Sequence, residues 1–407
     1  TWVLAGIIFM VLLLFQAMLA GAVWQRVEGA SGRAGLWLAA GLAVVWFGGQ
    51  GIHIWGDATA YSPVTAFTRY MPLYFPIKAK RRLAALGWID PAQVEKDRLL
   101  RRAKVPDAGQ LRYPQKPLVC DKDQAELPNI LFVLIDALRP DKVTAEYTPR
   151  IEQFAAEHLQ FGNHYSGGNS SRMGIFSLFY GLPSTYWQSF YDLQRPPVVL
   201  EQMAAHDYEI RAFSSVGFGS PAQIDRTVFA AVNPDATYTA PRGIDRNSDI
   251  TRAWHAWLDA RKDSRRPYFS FLYYDPGNFS GEGVGDNVSA DETARRYAGY
   301  LLGIAAVDRE VELVLESLAA YPAGRETLVI IASDHGYEFD ELGLGNIGHG
   351  SNYGPYQLRS TLLMDWPGRE PEVFSQRSAH QDLPGTLLKD VFGCRNAISD
   401  YSSGCLL

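Results

Sequence analysis

Two long apolar runs open the chain. Residues 2–24 (WVLAGIIFMVLLLFQAMLAGAVW) are apolar apart from Gln16, and residues 35–55 (GLWLAAGLAVVWFGGQGIHIW) follow after a short polar loop. About 20 apolar residues carry a helix across a bilayer, so the pattern predicts two transmembrane helices. They form a hairpin whose two ends leave on the same side. A signal peptide is the competing reading of the first run, but its apolar stretch is shorter and follows basic residues. The second run is interrupted by Gln50 and His53 near one end and carries glycines that permit close helix packing.

From Asn129 onward, short apolar runs alternate with stretches of helical spacing. Ile130–Ile135 is a continuous apolar run of buried-strand length, and Ile210–Phe213, Tyr268–Tyr273 and Leu328–Ile331 read the same way. Thr148–His158 and Ala294–Leu318 have the spacing of helices. Buried strands alternating with helices predict an α/β domain with a mainly parallel central sheet sandwiched by helices. The expected organisation is two transmembrane helices over 1–56, a juxtamembrane linker over 57–127 and the α/β domain over 128–407. The chain starts at Thr1 inside apolar sequence and stops at Cys405-Leu406-Leu407, so it reads as a piece of a longer protein.

Charge refines the linker. Between Arg69 and Lys104 there are ten Lys or Arg and three acids, interleaved with Tyr70, Tyr74, Phe75, Leu83, Leu86 and Trp88. Lys78, Lys80, Arg81 and Arg82 cluster shortly after the second apolar run. Basic residues mixed with aromatics beside a membrane suit a segment that lies on headgroups and contacts lipid phosphates. The bland alternative is a solvated basic helix obeying the positive-inside rule, which would put the large domain in the cytoplasm. A net charge of −6 argues against a nucleic-acid partner. Of the three cysteines, Cys394 and Cys405 are close enough in sequence to pair in an oxidising compartment; free thiols are the alternative.

Polar clusters follow directly on apolar strands, and ligands of open α/β sheets bind beyond the carboxyl ends of strands. Asp136 ends the first strand within IDALRPD. A carboxylate there holds a metal or caps the next helix. Asp334 and His335, within SDHG, follow the strand at 328–331 and offer an oxygen and an imidazole to a divalent cation. His349, within GHG, lies fourteen residues beyond His335, with glycines that let backbone approach a ligand. GGNSSRMGIF (167–176) puts Ser170 and Ser171 at a helix start, where the dipole favours an anion. Ser170 suits the cap, which leaves Ser171 as the candidate nucleophile.

Taken together, IDALRPD, NSSRMGIFSLFYG, SDHG and GHG resemble the alkaline phosphatase/sulfatase superfamily. With the juxtamembrane stretch IWGDATAYSPVTAFTRYMPLYFPIKAKRRLAALGWID, the chain is similar to the YejM/PbgA-type inner-membrane proteins of Gram-negative bacteria over roughly residues 35–405. The resemblance implies a five-helix membrane domain, of which this chain holds the last two helices, and a periplasmic sulfatase-like domain. That placement overrides the positive-inside argument. It implies metal ligation by Asp136, Ser171, Asp334 and His335, with Ser171 as nucleophile and His349 near the phosphoryl oxygens or the leaving group.

Two departures from the superfamily pattern narrow the chemistry. Formylglycine-forming sulfatases need Pro two residues and Arg four residues beyond the nucleophile, and here Met173 and Ile175 stand there. Sulfate-ester hydrolysis is therefore not expected. Ala137 stands where many members carry a second Asp, so the resemblance implies one divalent metal, zinc or manganese, with magnesium as a third candidate. The implied partners are membrane lipids (lipid A or lipopolysaccharide through a basic pair like Arg81-Arg82, and cardiolipin) and inner-membrane regulators of lipopolysaccharide synthesis. The function expected first is control of outer-membrane lipid balance. The alternative is an active phosphatase or phosphoethanolamine-type transferase.

Overall fold

The computed structural model describes residues 32–59, 61, 64, 77, 79–90, 94, 111–121, 127–241, 243, 245–277, 292–321, 325–343 and 346–407. The chain divides into two compact units, Thr1–Gly109 and Gln110–Leu407.

In the first unit, the second predicted span forms helix α1 (Gly32–Ala58). The first predicted span, 2–24, lies outside the described residues. Among the described residues no helix is long and apolar enough to cross a membrane, so the transmembrane hairpin is not shown. Helix α1 nevertheless presents Trp37, Val44, Val45, Phe47, Ile52 and Trp55 as exposed side chains. The two polar interruptions have a local cause. Gln50 and His53 are buried, and both serve the backbone of Ile77. The Ile77 N–H donates to Gln50 Oε1 at 2.9 Å, and His53 Nδ1 lies 3.4 Å from the Ile77 carbonyl. Helix α2 (Lys80–Ala85) follows.

The second unit is built on strands β1 (Asn129–Ile135), β2 (Leu159–Phe161), β3 (Glu209–Ser214), β4 (Thr237–Thr239), β5 (Tyr268–Tyr274), β6 (Thr327–Ser333), β7 (Leu362–Asp365) and β8 (Glu372–Phe374). They form one sheet of order β8-β2-β7-β6-β1-β5-β3-β4. The β6-β1-β5-β3-β4 block is parallel, and β7 runs antiparallel to both β6 and β2. The predicted mainly parallel sheet is thus present. Short β7 and β8 lack the long apolar run that marks a central strand, which is why the sequence pattern passes over them.

Alternate residues of the central strands face opposite layers, as the pleat requires. Ile130, Phe132 and Leu134 join Phe269, Phe271, Leu328 and Ile330 on one face. Leu131, Val133 and Ile135 join Leu272, Val329 and Ile331 on the other. Helices α3 (Pro149–Glu157), α6 (Arg246–Ala260) and α7 (Glu292–Ala320) cover the second face through Ile151, Phe154, Trp254 and Ile304. The first face is covered by α4 (Ser171–Tyr180) and α5 (Val198–Ala205), with Phe176, Phe179 and Leu200 packed inward.

Residues 111–121 fold with this unit. Tyr113 is buried and donates its hydroxyl to the Tyr180 carbonyl at 2.9 Å. Cys120 forms a disulfide with Cys394, and Cys405 is free and exposed. Of the two readings left open for Cys394 and Cys405, pairing with each other is excluded, and only Cys405 is a free thiol. Sequence proximity favoured Cys405, but the bridge between residues 120 and 394 lays the two chain segments side by side.

Candidate active site

The site lies at the carboxyl ends of three neighbouring strands, β5, β1 and β6. Asp136 follows β1 and continues its ladder, its N–H donating to the Tyr274 carbonyl at 2.9 Å. Ala137 then turns with φ of 56°, in the left-handed region that costs a residue with a Cβ roughly 1 kcal/mol or more. That turn has a use: it points the Ala137 N–H at Asp334 Oδ1, 3.0 Å away. The His335 N–H donates to the same oxygen at 2.9 Å. One oxygen of Asp334 is thus fixed by backbone, and the other remains for the site.

Asp136, Asp334 and His335 each bring one ligand atom into a cluster whose atoms all lie within 4.8 Å of one another. His335 Nε2 is 3.6 Å from Asp136 Oδ1 and 3.6 Å from Asp334 Oδ2. Its Nδ1 lies 2.8 Å from the Gly336 carbonyl, which assigns the proton of the neutral ring to Nδ1 and leaves the Nε2 lone pair facing the carboxylates. Tyr273, on β5, donates its buried hydroxyl to Asp136 Oδ2 at 2.9 Å and also reaches Asp334 Oδ2 at 3.3 Å.

The electrostatics of the cluster follow from this closeness. Burial, then the adjacent Asp334 carboxylate, hold Asp136 above the usual carboxylate range, while His335 pulls it back. Burial lowers His335, but the Asp334 and Asp136 carboxylates outweigh it and raise the imidazole above its ordinary value. Two carboxylates and an oriented imidazole packed this closely form the donor set of a divalent cation of borderline softness, and they fit one.

Ser171 is the first residue of α4, and its Oγ sits 3.2 Å from His335 Nε2 and 3.4 Å from Asp136 Oδ2. Ser170 holds the N-cap position with extended backbone, but its side chain makes no capping bond. Its carbonyl accepts the first helical bonds, from the Met173 and Gly174 N–H groups. Two glycines allow this closeness. A Cβ on Gly168 would stand 2.3 Å from Met173 Cβ, and one on Gly174 would stand 1.9 Å from the Asp334 carbonyl oxygen.

His349 comes to the same place from another loop. Its ring lies over that of His335, with centroids 4.4 Å apart. Desolvation, then the His335 ring, push His349 down to about 4, although one edge of the residue stays exposed. Arg172, next to Ser171, turns away, donating to the Pro221 carbonyl and stacking on Trp187. Of the basic residues expected to meet lipid, Lys80, Arg81 and Arg82 lie in α2, with Lys80 and Arg82 exposed, and Lys78 is outside the described residues. Sequence reading missed Tyr273. Its one signal was a tyrosine near the carboxyl end of a strand beside the strand bearing Asp136.

Comparison with known proteins agrees with this architecture. The profile of a domain of unknown function, DUF3413, matches residues 1–120, and the sulfatase profile matches residues 128–391. The chain is 27% identical to the inner membrane protein YejM of Salmonella typhi over 99% of its own length and 65% of that protein's. It spans 55–65% of the length of the curated relatives it matches. Among solved structures, an alkaline phosphatase superfamily protein from Vibrio parahaemolyticus aligns with a TM-score of 0.54 at 14% identity, over 77% of this chain and 78% of that one. The lipoteichoic acid synthase LtaP from Listeria monocytogenes aligns with a TM-score of 0.55 at 13% identity, over 70% of this chain and 80% of that one. With the sulfatase profile matched over most of the chain and the fold of the alkaline phosphatase superfamily around it, the chain belongs to the sulfatase family.

Proposed function

We propose that the chain is part of an inner-membrane protein whose large domain faces the periplasm and carries a single-metal site for phosphate esters of membrane lipids. The observation that carries this reading is the convergence of Ser171, Asp136, Asp334 and His335 around one point. Zinc or manganese suits the mixed oxygen and nitrogen donors best, with magnesium a third candidate. When bound, the metal supplies positive charge that lowers the pKa of the Ser171 hydroxyl and balances phosphate oxygens.

The chain's own residues do the rest. The Ser171 Oγ attacks phosphorus as the bond from phosphorus to the departing alcohol oxygen breaks. The Ser171 proton passes to Asp136 Oδ2, the carboxylate oxygen to which it already donates, and the departing oxygen takes a proton from water. The hydroxide left then releases the phosphate from Ser171 as Asp136 returns the proton to the serine oxygen. The N-terminal end of α4 favours the anionic group held there. Tyr273 and the backbone N–H groups of Ala137 and His335 hold the carboxylates in place. His349 is neutral near pH 7, so it serves as a hydrogen-bond donor to phosphoryl oxygens rather than as a ready proton source. Met173 and Ile175 occupy the positions that formylglycine formation needs, so the substrate proposed is a phosphate ester and not a sulfate ester. Two further observations support the compartment: the relatives named inner membrane protein YejM, and the Cys120–Cys394 disulfide, a bond of oxidising compartments. The test is hydrolysis of a generic phosphodiester by the zinc-loaded protein. Ser171→Ala should abolish it while leaving the thermal midpoint unchanged; equal rates in parent and variant would refute the assignment.

A second reading, in which lipid binding regulates outer-membrane lipid balance, is favoured by α2. Its exposed Lys80 and Arg82 stand beside exposed Ile77, Leu86 and Trp88, a basic and apolar mixture suited to a headgroup layer. The ligands proposed are lipid A or lipopolysaccharide and cardiolipin, and the regulated partners are inner-membrane controllers of lipopolysaccharide synthesis. Joint Arg81→Ala and Arg82→Ala substitution should weaken binding to cardiolipin or lipid A vesicles by roughly 30-fold, at about 1 kcal/mol per basic residue. Unchanged vesicle binding would remove this reading while leaving the esterase assay intact.

A further inference from the structure

Behind His349 lies a buried carboxylate that the chemistry above does not use. Glu338 is fully buried. It sits in a short strand, Glu338–Phe339, that pairs antiparallel with Ile347–Gly348 and places it opposite Gly348, the residue before His349. Its Oε2 accepts two bonds, from Asn352 Nδ2 at 2.5 Å and from Gln357 Nε2 at 2.7 Å. Its Oε1 is buried with no hydrogen-bond partner.

The two donors lead in different directions. Gln357, itself fully buried, returns along the loop: its Nε2 also donates to Ser351 Oγ at 2.6 Å, and its Oε1 accepts from the N–H groups of Ser351 and Asn352 at 3.2 and 3.4 Å. Asn352 leads to the nucleophile. Its carbonyl accepts from Asn169 Nδ2 at 2.8 Å, and Asn169 stands two residues before Ser171. The Asn169 backbone is also a hydrogen-bond partner of the His349 ring. A chain of hydrogen bonds thus starts at one acceptor oxygen and grips the loop just after His349 at Ser351 and Asn352. It reaches the entry to α4 through the Asn352 carbonyl and the Asn169 side chain, while the strand pairing of Glu338 with Gly348 holds the loop just before His349.

We infer that Glu338 is the positioning residue that sets His349 and Ser171 at a fixed separation, acting through Asn352 and Gln357. A buried carboxylate is costly to keep unless its bonds are needed. Here one oxygen carries both bonds, so the role requires a double acceptor and not a negative charge. This inference rests on the reading of Ser171 and His349 as the reacting and phosphoryl-contacting groups.

The experiment compares the zinc-loaded full chain with Glu338→Ala, Glu338→Gln and Asn352→Ala. Amide hydrogen exchange over 167–171 and 348–352, zinc bound per chain, and kcat and KM for a phosphodiester are read on the same samples. Glu338→Ala should speed exchange in both segments roughly 10–100-fold, the loss of two bonds to one buried acceptor oxygen. It should lower kcat by a similar roughly 10–100-fold with KM and zinc content close to the parent's. Glu338→Gln keeps a carbonyl acceptor and should restore both. Asn352→Ala removes one of the two bonds to Glu338 but keeps the carbonyl that accepts from Asn169. It should therefore speed exchange over 348–352 and, to a smaller degree, over 167–171, and it decides the matter if Glu338→Ala does not fold. Unchanged exchange over 167–171 in Glu338→Ala, or a Gln variant as defective as the Ala variant, overturns the inference. If the parent turns over no ester, the catalytic reading fails, and the exchange measurements still decide the role of Glu338.

Discussion

Asp334 divides its oxygens: Oδ1 is held by two backbone N–H groups, and Oδ2 faces Tyr273 and His335. Removal of either arrangement would leave a buried carboxylate free to rotate, so the site's precision resides in main-chain donors as much as in ligands. A second buried pair behind α4 has a different consequence. His164 and His380 lie with ring centroids 5.1 Å apart, both fully buried. His380 contacts the Gly174 carbonyl through Nδ1 and Ser360 Oγ through Nε2, 3.1 Å in each case. Burial lowers His380 from its ordinary 6.5 to about 4, and burial with the neighbouring ring lowers His164 as well. The unfolded chain therefore takes up a proton below pH 6.5 that the folded one refuses until about pH 4. Stability is intact above pH 6.5 and falls as pH drops towards 4, by up to roughly 3 kcal/mol from His380 alone. Denaturant midpoints across that window should fall less steeply in His380→Gln than in the parent; parallel slopes would reject this account.

At the scale of elements, the position of Ser171, the proposed nucleophile, depends on how closely α4 approaches the end of β6. The contact passes through Gly174, where an added Cβ meets backbone rather than a mobile side chain. Gly174→Ala must therefore push the helix away from Asp334. The expected result is a loss of about 1–3 kcal/mol in stability, as for other overpacked sites, together with weaker zinc binding by titration calorimetry. Wild-type zinc affinity in a folded Gly174→Ala protein would show that the approach does not matter. The central strands and the long helices were legible because each is a sustained apolar or periodic run, from Ile130–Ile135 to Ala294–Leu318. Asp136, Ser171, Asp334, His335 and His349 were legible as polar residues at strand or helix ends, and the structure brings all five together. Tyr273, Glu338 and Asn352 were not, because their parts depend on contacts across β5, β1 and β6 or between separate loops, which leave no local pattern. Ser170, expected as the cap, holds the N-cap position but its side chain makes no capping bond.

At the scale of the whole second unit, the Cys120–Cys394 bond spans 274 residues. It fastens the segment that enters the unit to the segment near its end, reinforced by Val119 N–H to Asn396 Oδ1 at 2.7 Å and Lys116 to Asp400 at 3.1 Å. Closing so long a loop restricts the unfolded chain by about 5 kcal/mol on the chain-entropy estimate. Cys394→Ser should lower the thermal midpoint, and reductant should lower the parent's midpoint to match; insensitivity of both would mean the bond contributes little. This fastening meets α4 at its far end. Tyr113 donates to the Tyr180 carbonyl, while Ser402 Oγ and the Ser403 N–H donate to the Gly181 carbonyl. The same helix carries Ser171 at its other end, about 15 Å away along a rod that does not compress. Helix α4 is thus moored at both ends: its C-terminal carbonyls hold the segments that enter and leave the unit, and its first residue meets Asp136 and His335 through the Ser171 hydroxyl.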